Sequence, residues 1–417
     1  MISPWTRQIL RDPGLPGSAA LIDDVPGPLA AAYKVAGSTL TYAEPMQITW
    51  WPGRRLTIRY RSRAHGGVHN GETQAVASIG SMPEGAVLVE GDDSIVGVWC
   101  VPHDPALPGL ASALDTSAVT GLLRQLGSTD IVTRTRLRAY RPGSRAVVEA
   151  KASGASLFLK VVPPAKVVEL HERHRHLAAH LPVPDSLGLS TELGIVAMRT
   201  APGVDLRARM RRGGALPESA DIAAMLAGLP NPVSPTQVRS SLQSLPQVIE
   251  VLHRLLPEEA GPIERLAAEI GPETVDASVA VHGDFHEAQI LVEGVRPGAL
   301  VDVDTYGWGR PGDDPATMLA HLDLLAPSCP RPQVVRSLAH GLNRIWDRTA
   351  DPADLRRRTA AVALGLAVGP FRVQGPNWPD ETRRRVRAAA RWAESARRVD
   401  EGSLIAASGA SHVRAAP

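Results

Sequence analysis

Residues 281–314 read VHGDFHEAQILVEGVRPGALVDVDTYGWGRPGDD, and their punctuation decides how the rest of the chain is read. Ala280 and Val281 close an apolar run, so His282 to His286 is expected as a loop leaving a strand. Gln289 to Val292 reads as a short strand, Gly294 to Gly298 as a turn and Ala299 to Val303 as a return strand, with Asp302 and Asp304 at its end. A hairpin of that size brings Asp284, Gln289 and Asp302 close together. Those residue types suit phosphoryl transfer. One carboxylate must orient an attacking hydroxyl and accept its proton, and oxygen ligands must hold a magnesium ion against the phosphates. On this reading Asp284 is the base, and Gln289 and Asp302 are the metal ligands.

The pattern HGDxHxxQ from His282 to Gln289, followed by Val301-Asp302-Val303-Asp304, resembles the Brenner-type motif and the metal motif of the aminoglycoside phosphotransferase/choline kinase superfamily. The resemblance spans roughly residues 130 to 400. It implies an α+β, protein-kinase-like bilobal fold, with a small β-rich N-lobe and a mostly helical C-lobe. The expected division is an N-terminal cap over 1–128, a nucleotide-binding N-lobe over 129–200 and a helical C-lobe over 201–417. The family's usual amide is Asn. Gln289 at this place is similar to the maltokinase branch, and its extra methylene alters the metal geometry.

Upstream, the order of elements carries the nucleotide site. Met46 to Tyr60 holds two alternating runs around Pro52-Gly53, a hairpin signal. Leu107 to Leu126 reads as a helix. Leu137 to Val148 repeats the strand, Pro-Gly turn, strand order around Pro142-Gly143, and Leu157 to Val162 adds a strand before a helix from about Ala165 to Leu181. The two hairpins lie about 90 residues apart, which suggests an internal repeat of a meander-plus-helix unit; two unrelated hairpins are the alternative. In the repeat reading the first copy is a degenerate nucleotide lobe, because its third strand lacks a Lys.

The second copy has that residue. The resemblance assigns Lys160 to the α- and β-phosphates, with a helix acid as its partner. Glu169 and Glu172 share a helix face, so spacing leaves both open, with Glu172 preferred. Pro142 to Arg145 is the phosphate-covering turn, with Ser144 as a donor and Arg145 as added charge. Met198 to Thr200 is expected to present backbone to the adenine. His282 is expected to brace the catalytic loop, and His286 either to orient it or to touch substrate.

Acceptor contacts are sought among His286, Asp304 and Trp308, and in the loop Gly369–Trp378, where Arg372 and Trp378 stand. Aromatic faces stack on sugars, and acids accept hydroxyls. Asp313 or Asp314 instead reads as the cap of a helix running from Pro315 to Leu325.

Composition narrows the class. With 45 basic and 43 acidic residues the net charge is +2, which asks for neither nucleic acid nor an anionic membrane. Two cysteines make no disulfide framework, and the first residues hold no apolar core of signal-peptide length. A cytoplasmic monomer or homodimer is expected. Gly283-Asp284-Phe285-His286 also resembles a metal phosphoesterase element, but the Asn-His-Glu triplet of that class does not occur. The function expected is ATP-dependent, Mg²⁺-requiring transfer of the γ-phosphate to a hydroxyl of a small molecule, a sugar or amino sugar first. An aminoglycoside-type antibiotic acceptor, or a catalytically weak nucleotide-binding module, are the alternatives.

Overall fold

The computed structural model describes residues 4–23, 25–91, 94–154 and 156–413. They fall into two compact units, one of the described residues up to 175 with 185–200 and 370–378, the other of 176–184, 201–369 and the described residues from 379 on.

The first unit begins with helices α1 (Pro4–Leu10) and α2 (Gly27–Val35). Strands β1 (Thr39–Trp51), β2 (Arg55–His65), β3 (Gly71–Ile79), β4 (Val87–Glu90) and β5 (Ile95–Cys100) follow. They form an antiparallel sheet in the order β1-β2-β3-β5-β4, with α2 laid against it. Period-two alternation builds it: in β2, Leu56, Ile58, Tyr60, Ser62 and Ala64 are buried while Arg61 and Arg63 are exposed. The short, exposed β4 was not expected from sequence.

The next stretch repeats that plan. Helices α3 (Gly109–Leu114) and α4 (Thr116–Gln125) precede β6 (Val132–Arg141), β7 (Arg145–Ala152) and β8 (Ser156–Val161). Helix α5 (Pro164–Ala178), β9 (Ser186–Ser190) and β10 (Ile195–Arg199) complete it, in the order β6-β7-β8-β10-β9. The single helix expected over Leu107–Leu126 is broken at Asp115. Its extended backbone ends α3, and its carboxylate accepts the Ala118 N–H at 2.7 Å to start α4.

Register defines the equivalences. Lys160 pairs with Val147 of β7 and Val196 of β10, while Ser78 pairs with Thr57 of β2 and Gly97 of β5. Counted from the two turns, Ser78 therefore stands where the second sheet has Lys160. A second recurrence escaped the sequence reading: Asp12-Pro13-Gly14-Leu15-Pro16-Gly17 and Asp104-Pro105-Ala106-Leu107-Pro108-Gly109. Asp12 accepts the Gly53 N–H (2.7 Å), the Trp50 indole N–H (3.0 Å) and the Gly14 N–H (3.0 Å). Asp104 accepts the Gly143 N–H (2.8 Å), the Tyr140 hydroxyl (2.7 Å) and the Ala106 N–H (2.9 Å). Each turn glycine is left-handed, at φ +66° for Gly53 and +67° for Gly143. The two sheets are also joined to each other. Arg59 donates to the Tyr140 carbonyl at 2.9 Å, and the Trp99 indole donates to the Tyr140 hydroxyl at 2.9 Å.

The second unit is mostly helical. In chain order it holds β11 (Val204–Asp205), α6 (Leu206–Arg211), α7 (Ser219–Ala227), α8 (Ser241–Leu255), α9 (Ala260–Ile270), β12 (Val279–Val281), β13 (Ile290–Glu293), β14 (Arg296–Leu300), β15 (Gly307–Gly309), α10 (Asp313–Leu325), α11 (Pro332–Trp346) and α12 (Pro352–Ala367). A short helix, α13 (Gly369–Arg372), and the long α14 (Trp378–Val413) end the chain. The α+β class expected from the sequence holds. The core of this unit gathers Phe285, Ile290, Leu300 and Tyr306 from residues 281–314 with Met318 and Leu322 of α10. The hairpin is tighter than expected: Glu293 pairs with Arg296 across Gly294-Val295, so Pro297 and Gly298 lie in β14 and the strand ends at Leu300. Gly294, at φ +59°, permits this two-residue turn.

One buried cation ties distant parts of this unit. Arg358 on α12 is fully buried and donates to Asp354 (2.7 Å), Asp313 (2.9 Å) and Glu273 (2.9 Å). Removing one partner of such a group leaves uncompensated buried charge. Among the described residues no helix is long and apolar enough to cross a membrane. Cys100 and Cys329 are both buried and free.

Candidate functional site

The loop after β12 is held by its own first residue. The buried His282 donates from Nε2 to the Val301 carbonyl (3.0 Å) and accepts the Asp284 N–H at Nδ1 (3.3 Å). Val301 in turn donates its N–H to the Gln289 carbonyl at 2.8 Å. One ladder therefore links the backbone around Asp284, Gln289 and Asp302, and His282 has the bracing geometry expected of it.

Asp314 adds the second hold. Its carboxylate accepts the His282 N–H (2.6 Å) and the Gly283 N–H (2.9 Å). Burial pushes this carboxyl up to about 7, against the pull of those two backbone donors. Gly283 is left-handed at φ +81°, and a Cβ there would stand 2.8 Å from the Thr305 carbonyl oxygen, so the loop needs glycine. These contacts correct the reading of Asp313 or Asp314 as a helix cap. Helix α10 starts at Asp313 rather than Pro315, Gly312 precedes it, and no side chain caps it. Asp313 is drawn inward by Arg358, and Asp314 by the loop N–H groups.

Asp284 keeps a half-exposed carboxylate. Gln289 is buried at the end of a short 3-10 turn. Asp302 takes a left-handed backbone, φ 56° and ψ 44°, and starts a second 3-10 turn that carries the half-buried Asp304. Aspartate tolerates that conformation better than most residues, and such positions cluster at functional sites. An amide carbonyl and a carboxylate are hard oxygen donors, so Gln289 and Asp302 fit a magnesium ion by chemistry. Trp308 is the middle residue of β15, half-buried, with its N–H given to the Thr236 carbonyl and its carbonyl accepting from Val238.

Beneath the loop lies a cluster that the sequence did not reveal. Arg207 on α6 donates from Nε to Glu287 Oε1 at 2.6 Å. Its Nη2 stands 3.4 Å from Nδ1 of both His286 and His321. The two imidazoles stack 4.2 Å apart and 4° from parallel. Burial is the largest cause that drives both down to about 3, so both are neutral. The Gln289 amide lies 3.2 Å from His286 Nε2, and Asp284 Oδ1 lies 3.8 Å from the same nitrogen. Arg207 and His321 stand 79 and 35 residues from His286, and no spacing pattern signals such partners.

The residues expected at the nucleotide lie in the first unit. Lys160 is a buried residue of β8. In the turn, Gly143 gives its N–H to Asp104 and Ser144 gives its N–H to the Arg141 carbonyl at 3.0 Å; Ser144 is exposed and Arg145 half-buried. Met198 is buried in β10, at a bulge in the pairing of β10 with β9. On α5, Glu169 pairs with Arg173 at 2.7 Å, and Glu172 is exposed. Arg372 is exposed. Trp378 is buried against Phe371, with ring centres 5.2 Å apart, and its indole donates to Thr6 at 3.2 Å.

Residues 137–352, more than half of the chain, match the sequence pattern of the phosphotransferase enzyme family. None of the curated proteins matches the chain. Among solved structures it is similar to the macrolide 2'-phosphotransferase MphH of Brachybacterium faecium, at 18% identity and a TM-score of 0.42, over 65% of this chain and 97% of that one. A ternary complex of a thermostable aminoglycoside phosphotransferase APH(4)-Ia mutant with ADP and hygromycin B is similar at 16% identity and a TM-score of 0.45, over 66% and 99%. A choline/ethanolamine kinase family protein of Mesorhizobium loti is similar at 14% identity and a TM-score of 0.42, over 62% and 88%.

Proposed function

The chain belongs to the phosphotransferase enzyme family, and from that premise we propose that it moves the γ-phosphoryl group of ATP to a hydroxyl of a sugar or amino sugar. It is a phosphotransferase acting on a small-molecule hydroxyl. The observation that carries the proposal is the ladder Asp284–His282–Val301–Gln289, which ties the backbone of the half-exposed Asp284 to that of Gln289 and of Val301, the neighbour of Asp302.

The chemistry balances with these groups. An acceptor oxygen forms a bond to the γ-phosphorus, the bridging P–O bond breaks, ADP leaves, and the hydroxyl proton passes to the Asp284 carboxylate. When bound, magnesium held by Gln289 and Asp302 supplies neutralisation of the phosphate charge. Lys160 holds the α- and β-phosphate oxygens, with Ser144 and Arg145 adding contacts from the turn. Met198 backbone meets the adenine. Two features support a sugar-type acceptor: Gln289 where the resembled superfamily has Asn, and an additional sheet ahead of the nucleotide lobe. Asp304 and Trp308 are its proposed contacts.

Phosphate transfer from Mg·ATP across glucosamine, maltose, glucose, choline and several aminoglycosides tests the reading. Turnover is expected on a sugar or amino sugar and is lost by at least about 1000-fold in Asp284→Ala. Turnover on aminoglycosides alone would replace the sugar assignment. An Asp284→Ala protein as active as the parent would remove Asp284 from the base role.

A further inference from the structure

The cluster under the loop has ligand-type side chains but the wrong shape for a metal cage. His286, Glu287 and His321 bring one donor atom each within 4.8 Å of one another. Imidazole lone pairs lie in the ring plane. Two rings stacked 4° from parallel and 4.2 Å apart aim theirs side by side, so an ion shared between them would sit outside both planes. Arg207 already stands there as the cation, bonded to Glu287 and facing both Nδ1 atoms. The second carboxylate oxygen of Glu287 is buried with no hydrogen-bond partner and lies 3.6 Å from His321 Nδ1, so its charge serves the platform electrostatically.

The platform determines which proton His286 presents. Its Nδ1 accepts the Ala288 N–H at 3.2 Å and faces Arg207, so the ring hydrogen sits on Nε2. Nε2–H points at the Gln289 side-chain amide, 3.2 Å away. Two N–H donors face to face repel. Half a turn of the amide, which leaves its shape unchanged, puts the carbonyl oxygen there instead. That oxygen has two lone pairs, one for His286 and one for an ion.

We propose that His286 is a positioning residue: standing on the Arg207–Glu287 pair and the His321 ring, it fixes the Gln289 carbonyl oxygen as a metal ligand. The inference rests on the phosphotransferase reading of this loop. It explains how a longer amide serves there. The extra methylene gives Gln289 one more rotatable bond than Asn, and a donor on its oxygen removes that freedom. Groups that orient metal ligands in this way typically carry a 10- to 100-fold share of metal affinity.

Mn²⁺ binding to the full chain in the presence of ATP, followed by electron paramagnetic resonance, reads this without turnover. His286→Phe keeps a ring to stack on His321 and lacks the Nε2–H. The Mn²⁺ dissociation constant is expected to rise about 10- to 100-fold, with kcat falling and the acceptor KM within about twofold of the parent. His286→Gln, whose amide N–H reaches a similar distance, is expected to recover most of the loss. It also reports on the site if the Phe variant fails to fold. In the double variant His286→Phe/Gln289→Asn the losses are expected not to multiply. Unchanged Mn²⁺ binding in His286→Phe beside a parent that binds well overturns the inference and leaves the phosphotransferase reading intact. So does a raised acceptor KM with metal binding unchanged, which makes His286 a substrate contact. A parent that binds no Mn²⁺ with ATP and transfers no phosphate overturns the underlying reading itself.

Discussion

In both sheets of the first unit an aspartate from a DPxLPG step reaches forward about forty residues to a turn glycine, Asp12 to Gly53 and Asp104 to Gly143. Each carboxylate also takes a hydrogen bond from the aromatic residue three before that glycine, Trp50 in one sheet and Tyr140 in the other. The sheets then part. The second carries Lys160 on its third strand and a helix before its fourth. The first has Ser78 at the Lys place, bonded to the Thr57 hydroxyl and the Ser81 carbonyl. Met82 packs over Gly97, where the second sheet has Val196; a Cβ at Gly97 would lie 2.8 Å from the Met82 sulfur. The anchored turn thus occurs both with and without a lysine on the third strand. What the second sheet adds is a charge.

The largest effect that could break this comparison is at the third strand. Lys160→Met is expected to lower phosphoryl transfer by at least about 100-fold, and Ser78→Ala to leave it within about twofold while costing about 1 kcal/mol of stability for its lost hydrogen bonds. Steady-state kinetics and thermal melting of both variants decide it. Comparable losses of transfer would give the first sheet a catalytic share.

The anchors come next. Asp12→Ala and Asp104→Ala each strand three donors around a buried site, so each is expected to cost about 2–4 kcal/mol in chemical denaturation. Only Asp104→Ala is expected to raise the KM for ATP, and by several-fold. An equal rise with Asp12→Ala would mean that the first sheet also touches nucleotide.

The turn glycines sharpen the comparison most finely. A Cβ at Gly53 or at Gly143 meets nothing within 4 Å, so alanine at either place is expected to cost only the left-handed strain, about 1 kcal/mol. Unequal losses in paired denaturation curves would show that the two turns are not held alike.

The legible parts were those where neighbours in sequence are neighbours in space. Pro52-Gly53 and Pro142-Gly143 announced their hairpins because each closes within a few residues, and His282 to Asp302 announced its loop because one short hairpin carries its residues back together. DPxLPG is not legible in the sequence because it lies in Pro-, Gly- and Ala-rich segments that read as weakly structured, and its meaning depends on a glycine about forty residues away. Arg207 and Arg358 were illegible for a stronger reason. Arg207 meets His286 across 79 positions, and Arg358 meets Glu273 across 85, with no period linking them. The loop holding Phe371 and Trp378 read as an acceptor site, since aromatic and polar residues together fit binding and packing equally well. Only burial separated the two for Trp378.

The junction at Arg358 sets how the helical unit meets acid. Burial pushes the Asp313 carboxyl above its ordinary value. At Glu273 burial acts in the same direction, but the bonds from Arg358 and Ser240 outweigh it and leave that carboxyl at about 2. As pH falls, Asp313 takes its proton first. Its folded pKa lies above the unfolded one, so that protonation does not loosen the fold. The contribution of Glu273 is whole above its unfolded pKa, about 4.3, and drains away only as pH drops toward 2. Acid therefore discharges this junction in sequence, and Arg358 keeps a charged clasp on the segment after α9 when ordinary surface carboxylates are already neutral.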